Sequence, residues 1–161
     1  MLKILIVEDD IVQYGFIQSS LERVIRKWEL EITRIKTESD FYNELTVIAD
    51  AKPDIIIMDV MLRWADPSLN IPKPPQEVID NGFYRAGIRC IKKLFENEKT
   101  NDIPVIVYTA LDHAALEYEL PEIPHVKYVD KDFNPETLRK FILSLTNLDK
   151  YVRNPEPEER W

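Results

Sequence analysis

Three apolar runs each end on a carboxylate or a hydroxyl, and this repeat narrows the choice of fold more than any other feature of the chain. Leu2 to Val7 stops at Glu8-Asp9-Asp10, Ile55 to Met58 stops at Asp59, and Ile103 to Tyr108 stops at Thr109. Short apolar runs without polar alternation suit strands buried on both faces, as in a parallel sheet. Leu30 to Ile35 alternates with Glu31 and Arg34 and reads as a strand nearer an edge, and Val126 to Val129 as a fifth, short strand.

Helical stripes fall between these runs. Ile17, Leu21, Val24 and Trp28 recur at helical spacing, as do Tyr84, Ile88, Ile91 and Phe95. Thr37-x-x-Asp40 resembles a capping box ahead of Phe41, Leu45 and Ile48. Asn134-Pro135 is a helix start, with Leu138, Phe141, Ile142 and Leu145 behind it. Residues 112–120 are weakly helical. Strands alternating with helices predict an α/β fold: a doubly wound, five-stranded parallel sheet with helices on both faces. Residues 63–83 break the rhythm. Pro67, Pro72, Pro74 and Pro75 are too dense there for helix interiors or central strands, so an irregular segment is expected, either functional or disordered. One domain over residues 1–148, interrupted by this insertion and followed by a loosely held tail at 149–161, is the expected organisation.

Composition excludes several classes of function. The 161 residues carry a formal net charge of −8, which disfavours nucleic acid and anionic membrane surfaces as main partners. No apolar run reaches the roughly 18 residues that would span a membrane, and the acids after Val7 are unlike a secretion signal. Cys90 is the one cysteine, so an internal disulfide or a multi-thiolate metal site is out of reach. With 3 glycines there is neither a Gly-rich phosphate loop nor a dinucleotide fingerprint. A soluble, cytoplasmic protein is expected.

In open α/β sheets, ligands bind beyond the carboxyl ends of the strands. Glu8, Asp9, Asp10, Asp59, Thr109 and Asp130-Lys131-Asp132 fall at those ends. Carboxylates converging there repel one another unless a cation sits among them, and Mg²⁺ suits such a pocket because it takes one or two carboxylates and completes its shell with water and phosphate. A hydroxyl and an ammonium add a donor and a positive charge for a phosphoryl group, and carboxylate nucleophiles that form aspartyl phosphates are one route to its transfer. Asp10 reads as a helix N-cap. His113 and His125 lack ligand partners nearby in sequence and read as structural or solvated, and Cys90 as a small buried residue.

KILIVEDD, PDIIIMDVML, VIVYTA and KYVDKDFNPETL, in that order, resemble the receiver domain of a two-component response regulator. The resemblance covers nearly the whole chain except residues 63–83 and the tail, and implies a flavodoxin-like fold. It implies that Asp59 is the phosphoacceptor and that Mg²⁺ (or Mn²⁺) is held by Asp9, by Asp59, by the backbone carbonyl of Met61 and by Glu8, directly or through water. Thr109 becomes the switch hydroxyl, Ala110 its small neighbour, Lys131 the charge partner and Tyr128 the switch aromatic. The partners implied are a histidine kinase or histidine phosphotransfer protein. With no effector domain in the chain, output would pass through a downstream protein target, a second histidine domain or a homodimer, without direct contact to nucleic acid or membrane. Such a domain catalyses its own phosphorylation and dephosphorylation and has no external substrate.

Two departures from the family pattern stand out. If Gly87 is the family's loop glycine, the loop after the acceptor strand is about twenty residues longer than usual. Asp132 stands where the family has proline after the lysine, which predicts a displaced Lys131 or competition between Asp132 and phosphate for its ammonium. These departures keep open an alternative: a pseudo-receiver that binds partners without phosphorylation. An Asp-nucleophile phosphatase fits less well, because Met61 stands where that class needs a second aspartate.

Overall fold

A computed structural model describes residues 1–24, 29–116, 119, 123–132 and 134–146. Trp28 and the tail at 149–161 lie outside these, as do residues 117, 118 and 120 of the weakly helical stretch. Five parallel strands form one sheet in the order β2-β1-β3-β4-β5. They are β1 (Leu2–Val7), β2 (Leu30–Ile35), β3 (Ile55–Met58), β4 (Val105–Thr109) and β5 (Val126–Asp130). The helices are α1 (Ile11–Val24), α2 (Glu38–Asn43), α3 (Leu45–Ala51), α4 (Gln76–Asn81), α5 (Ala86–Phe95), α6 (His113–Leu116) and α7 (Pro135–Leu145).

The period of two in the central strands sorts their side chains into two cores. On one face Leu5, Val7, Ile56, Met58, Val105 and Val107 meet Phe41, Ile48, Ile88, Ile91 and Leu94 from α2, α3 and α5. On the other, Ile4, Ile6, Ile55, Ile57, Ile106 and Tyr108 meet Ile17 and Leu21 of α1 and Leu138 and Ile142 of α7. The nearly continuous apolar runs of β1, β3 and β4, broken only by Lys3 and Thr109, thus reflect helices on both sides, and the alternating burial of β2 matches its place at an edge. In this order the chain reverses its winding between β1 and β3, the switch point where open α/β sheets bind ligands.

Several expectations require correction. The stretch from Phe41 to Ile48 is two helices, because Glu44 leaves helical backbone (φ −96°, ψ 3°). The fourth strand begins at Val105, two residues later than expected, after a proline that has no N–H for a ladder. Tyr84 lies in a 3₁₀ turn, Phe83–Arg85, with half its surface exposed, so the buried stripe of α5 starts later than periodicity suggested. The insertion at 63–83 is not irregular throughout: it holds α4, which starts directly after Pro75 and ends at Gly82 (φ 64°). The prolines lie ahead of α4, where a missing N–H disrupts no intrahelical bond.

Two contacts hold the end of this insertion and the helix that follows it to the body. Glu38 of α2 and Arg89 of α5 form a buried ion pair, Nε to Oε1 at 2.6 Å and Nη2 to Oε2 at 2.7 Å. The Tyr42 hydroxyl donates to the same Glu38 carboxylate at 2.7 Å, and Arg89 Nη2 also donates to the Gly82 carbonyl at 2.9 Å. At the other contact, α5 meets the end of β3 backbone to backbone: Gly87 N donates to the Val60 carbonyl at 2.9 Å. A Cβ on Gly87 would lie 2.1 Å from the carbonyl oxygen of Asp59, so only glycine allows this approach.

Gly87→Ala should therefore force α5 off the Asp59 backbone and lower unfolding free energy in urea by about 3 kcal/mol, the upper part of the overpacking range. Arg89→Met should cost about 3–5 kcal/mol, since it strands a buried carboxylate. Adding Glu38→Gln to that variant should recover part of the loss in the same measurement.

Candidate functional site

Strand ends carry the chemistry to one place. β1 and β3 pair in register from Ile4↔Ile55 to Val7↔Met58, so Glu8 and Asp59, one residue beyond each strand, emerge side by side. The amide of Asp59 donates to the Val7 carbonyl at 2.9 Å and holds this register past the last pair. Carboxylate oxygens of Glu8, Asp9 and Asp59 all lie within 4.8 Å of one another. Glu8 and Asp59 are buried, Asp9 half-buried.

Lys131, just past β5, bridges two of the three acids. Its Nζ donates to Glu8 Oε2 and to Asp59 Oδ2, each at 2.8 Å. Its backbone N–H donates to the Thr109 carbonyl at 3.0 Å, which ties the lysine loop to the end of β4. Asp132 does not displace it. The Asp132 carboxylate instead accepts from the Asn134 amide at 2.9 Å and from the Thr137 hydroxyl at 2.8 Å, organising the start of α7. A short polar side chain at this position finds local backbone and hydroxyl donors, and here Asp132 is taken up by them.

Burial followed by the Asp59 charge raises the Glu8 carboxyl above its ordinary 4.5, against the opposing effects of Lys131 and the Asp10 amide. For Lys131, burial acts downward, but Asp59 and Glu8 outweigh it and leave the ammonium above its ordinary 10.5. The donor set fits a hard divalent cation such as Mg²⁺ or Mn²⁺. It is all oxygen, it is anionic, and its buried glutamate has too little compensating positive charge to stay at its ordinary acidity.

Other candidate residues lie around this centre. The Met61 amide donates to Asp59 Oδ1 at 3.3 Å, so the loop that carries the Met61 carbonyl is folded against the Asp59 side chain. Thr109 is buried at the end of β4, and its Oγ1 accepts from the Leu111 amide at 3.3 Å, while Ala110 beside it is exposed. Tyr128 is half-buried in β5 and stacks on His113, ring centroids 4.5 Å apart, which gives that histidine a packing role. Asp10 is the N-cap expected of it, its Oδ1 accepting from the Val12 and Gln13 amides at 2.7 and 3.0 Å. Cys90 is fully buried, with its thiol pushed well up by burial, and so is held away from thiolate chemistry.

Two arginines escaped the sequence reading. Arg34 donates from Nε to the Glu8 carbonyl at 3.0 Å and from Nη2 to the Asp9 carbonyl at 3.2 Å, clamping the acidic turn from β2. Arg63 donates from both its backbone amide and Nε to Asp9 Oδ2, each at 3.1 Å. Arg34 falls on the same face of β2 as Leu30 and Ile32, so strand alternation gave no signal of its role, and Arg63 lay inside the segment without periodicity.

Comparison with solved structures finds the same architecture. A signal receiver domain from Clostridium thermocellum superposes with a TM-score of 0.64 at 15% identity, covering 90% of this chain and 97% of its own. A chemotaxis response regulator of Vibrio cholerae gives 0.61 at 21% identity, over 90% and 98%. The receiver domain of a sensor histidine kinase from Pseudomonas aeruginosa, with a magnesium ion coordinated in its active-site cleft, gives 0.61 at 18%, over 89% and 96%. The chain has the receiver fold. No protein-family model and no curated protein matches its sequence. Within the receiver fold, the acidic cluster of this chain sits at the β1/β3 switch point, beyond the carboxyl ends of the strands. No described helix is long and apolar enough to cross a membrane.

Lys131→Met tests how far this site depends on one ammonium. It should lower stability at neutral pH by about 3–5 kcal/mol, because two buried carboxylates lose their shared partner. Glu8 would then sit still further above 4.5 in the native state, so the native state takes up its proton at higher pH than the unfolded chain does. The deficit against wild type should accordingly shrink as pH falls from 8 towards 5, read as urea midpoints at each pH.

Proposed function

We propose that the chain is a receiver in two-component phosphorelay signalling, taking a phosphoryl group onto Asp59 from a histidine kinase or a histidine phosphotransfer protein. The observation that carries this reading is the Lys131 ammonium held at 2.8 Å from both Asp59 and Glu8, with Asp9 completing an oxygen cluster at the switch point. Residues 1–148 make up the receiver unit, with the insertion at about 63–83 as its own elaboration. Output goes to a downstream protein target, and the signalling role involves no external substrate.

In the proposed transfer an Asp59 carboxylate oxygen attacks phosphorus in line. The P–N bond to the donor imidazole breaks as the P–O bond forms, and the imidazole leaves with the electron pair and regains a proton. Asp9, Asp59, the Met61 carbonyl and Glu8, directly or through water, would hold Mg²⁺ or Mn²⁺, which supplies charge neutralisation for the incoming phosphoryl oxygens. Lys131 is already placed to follow the charge from the Asp59 carboxylate to the phosphoryl group. Thr109, on the strand next to β3 and tied to Lys131 through the backbone, supplies the hydroxyl that would report phosphorylation, with Tyr128 as the aromatic that repacks.

One observation favours a second reading. Arg63 and Lys131 already place two cations against the three carboxylates. A site largely compensated in this way could serve as a structural centre in a phosphorylation-independent binding module. Intact-mass measurement after incubation with a small phosphodonor separates the two. A labile, Mg²⁺-dependent gain of one phosphoryl group in wild type, absent in Asp59→Asn, is expected. No gain in a folded, Mg²⁺-binding wild type would select the binding module.

A further inference from the structure

The insertion reaches into the acidic centre through one residue. Arg63 N and Nε converge on a single oxygen, Asp9 Oδ2, at 3.1 Å each, and the guanidinium also lies 3.7 Å from Asp66 Oδ1. The backbone that presents Arg63 is held independently of Asp9. The Arg63 carbonyl accepts from the Glu38 amide at 3.1 Å, and the Trp64 carbonyl accepts from the Ser39 amide at 2.8 Å. Trp64 Nε1 closes the segment on itself by donating to the Pro72 carbonyl at 2.7 Å, and its ring meets Tyr42 edge-on at 5.9 Å. Tyr42 and Glu38 belong in turn to the buried cluster built on Arg89. Arg63 is thus delivered to Asp9 by a fixed part of the fold.

We propose that Arg63 is a built-in counter-ion that competes with the divalent cation for Asp9, so that the insertion sets the affinity of the acidic centre for that cation. This rests on the metal reading of the site given above. A divalent cation and a guanidinium cannot share Asp9 Oδ2 at full strength, since both draw on the same lone pairs and repel each other. The exchange has a ready path: Asp66, beside Arg63 on the insertion, offers the displaced guanidinium a second carboxylate. Charge counting points the same way. With Lys131 alone the three carboxylates keep two negative charges, and with Arg63 as well they keep one, so Arg63 lowers the attraction for any cation entering the cluster.

Calorimetric titration of the full chain with Mg²⁺, repeated with Mn²⁺ followed by the electron paramagnetic resonance of the free ion, tests the assignment without any phosphodonor. Arg63→Gln keeps the backbone contact to Asp9 and removes the charge, and should bind either ion about 3- to 10-fold more tightly, the scale of a half-exposed ion pair. Lys73→Gln removes a cation elsewhere on the insertion and should stay within about twofold of wild type. Equal or weaker binding by Arg63→Gln, or equal tightening by Lys73→Gln, overturns the proposal while leaving the metal site standing. Binding by none of wild type, Arg63→Gln and Asp9→Asn, with folding shown intact by circular dichroism, removes the metal reading and the proposal together.

Discussion

Parallel strands β1 and β3 end level with each other, and that register forces Glu8 and Asp59 into the same few ångströms with Asp9 beside them. Ionised carboxylates buried this closely are costly unless a cation is shared between them. The Lys131 ammonium meets that demand from β5, at the far edge of the sheet, 72 residues along the chain from Asp59. Much else follows from keeping it there. Its amide is hydrogen-bonded to the Thr109 carbonyl, so the β4 and β5 ends are tied to the charge centre. Thr109, Tyr128 and His113 all lie on or against those two strands, which gives any change in charge at Asp59 a physical route to the β4–β5 face.

The insertion depends on a second buried charge pair, and the two centres are linked. Glu38 and Arg89 lie under the insertion with side-chain exposures of 1% and 3%, so each buried charge depends on the other as its counter-ion. Their partners Tyr42, Gly82 and the Glu38 amide hold both ends of the insertion, Arg63 at its start and Gly82 near its close. Gly87 then brings α5 onto the backbone of Asp59 itself. β3, the insertion and α5 are therefore one mechanical assembly. Perturbing Arg89 would be felt at Asp59 through α5 and at Asp9 through Arg63.

What could be read from the residues follows the reach of the interactions. All five strands were legible, three of them to the residue, because burial on two faces leaves nearly continuous apolar runs in β1 and β3 and an edge leaves alternation in β2. The acidic centre was legible because it needs only strand ends and their residue types. Gly87 was legible as a position, although the reason for it, a backbone contact 28 residues back along the chain, was not. Arg63, Arg34 and the Glu38–Arg89 pair were missed for a common reason. Each is a long, flexible cation whose partner is set by tertiary placement, and neither spacing nor propensity encodes the direction of such a side chain. The helix α4 was hidden by the prolines before it, which count against a helix in any window but fall outside this one.

Lys131 and Arg63 also differ in what they can do once charge changes at the site. Lys131 is buried, bridges two acids and is hydrogen-bonded through its backbone, so it can follow charge only over the distance between Glu8 and Asp59. Arg63 has a side-chain exposure of 47% and two carboxylates within reach, so solvent and Asp66 both lower the cost of its leaving Asp9. In the transfer proposed above, a fixed cation suits the product, where new negative charge stays in place. A displaceable one suits the step before it, where positive charge must enter and leave. Under the proposed function Lys131, just past β5, provides the first, and Arg63, on the segment that follows β3, is positioned to provide the second.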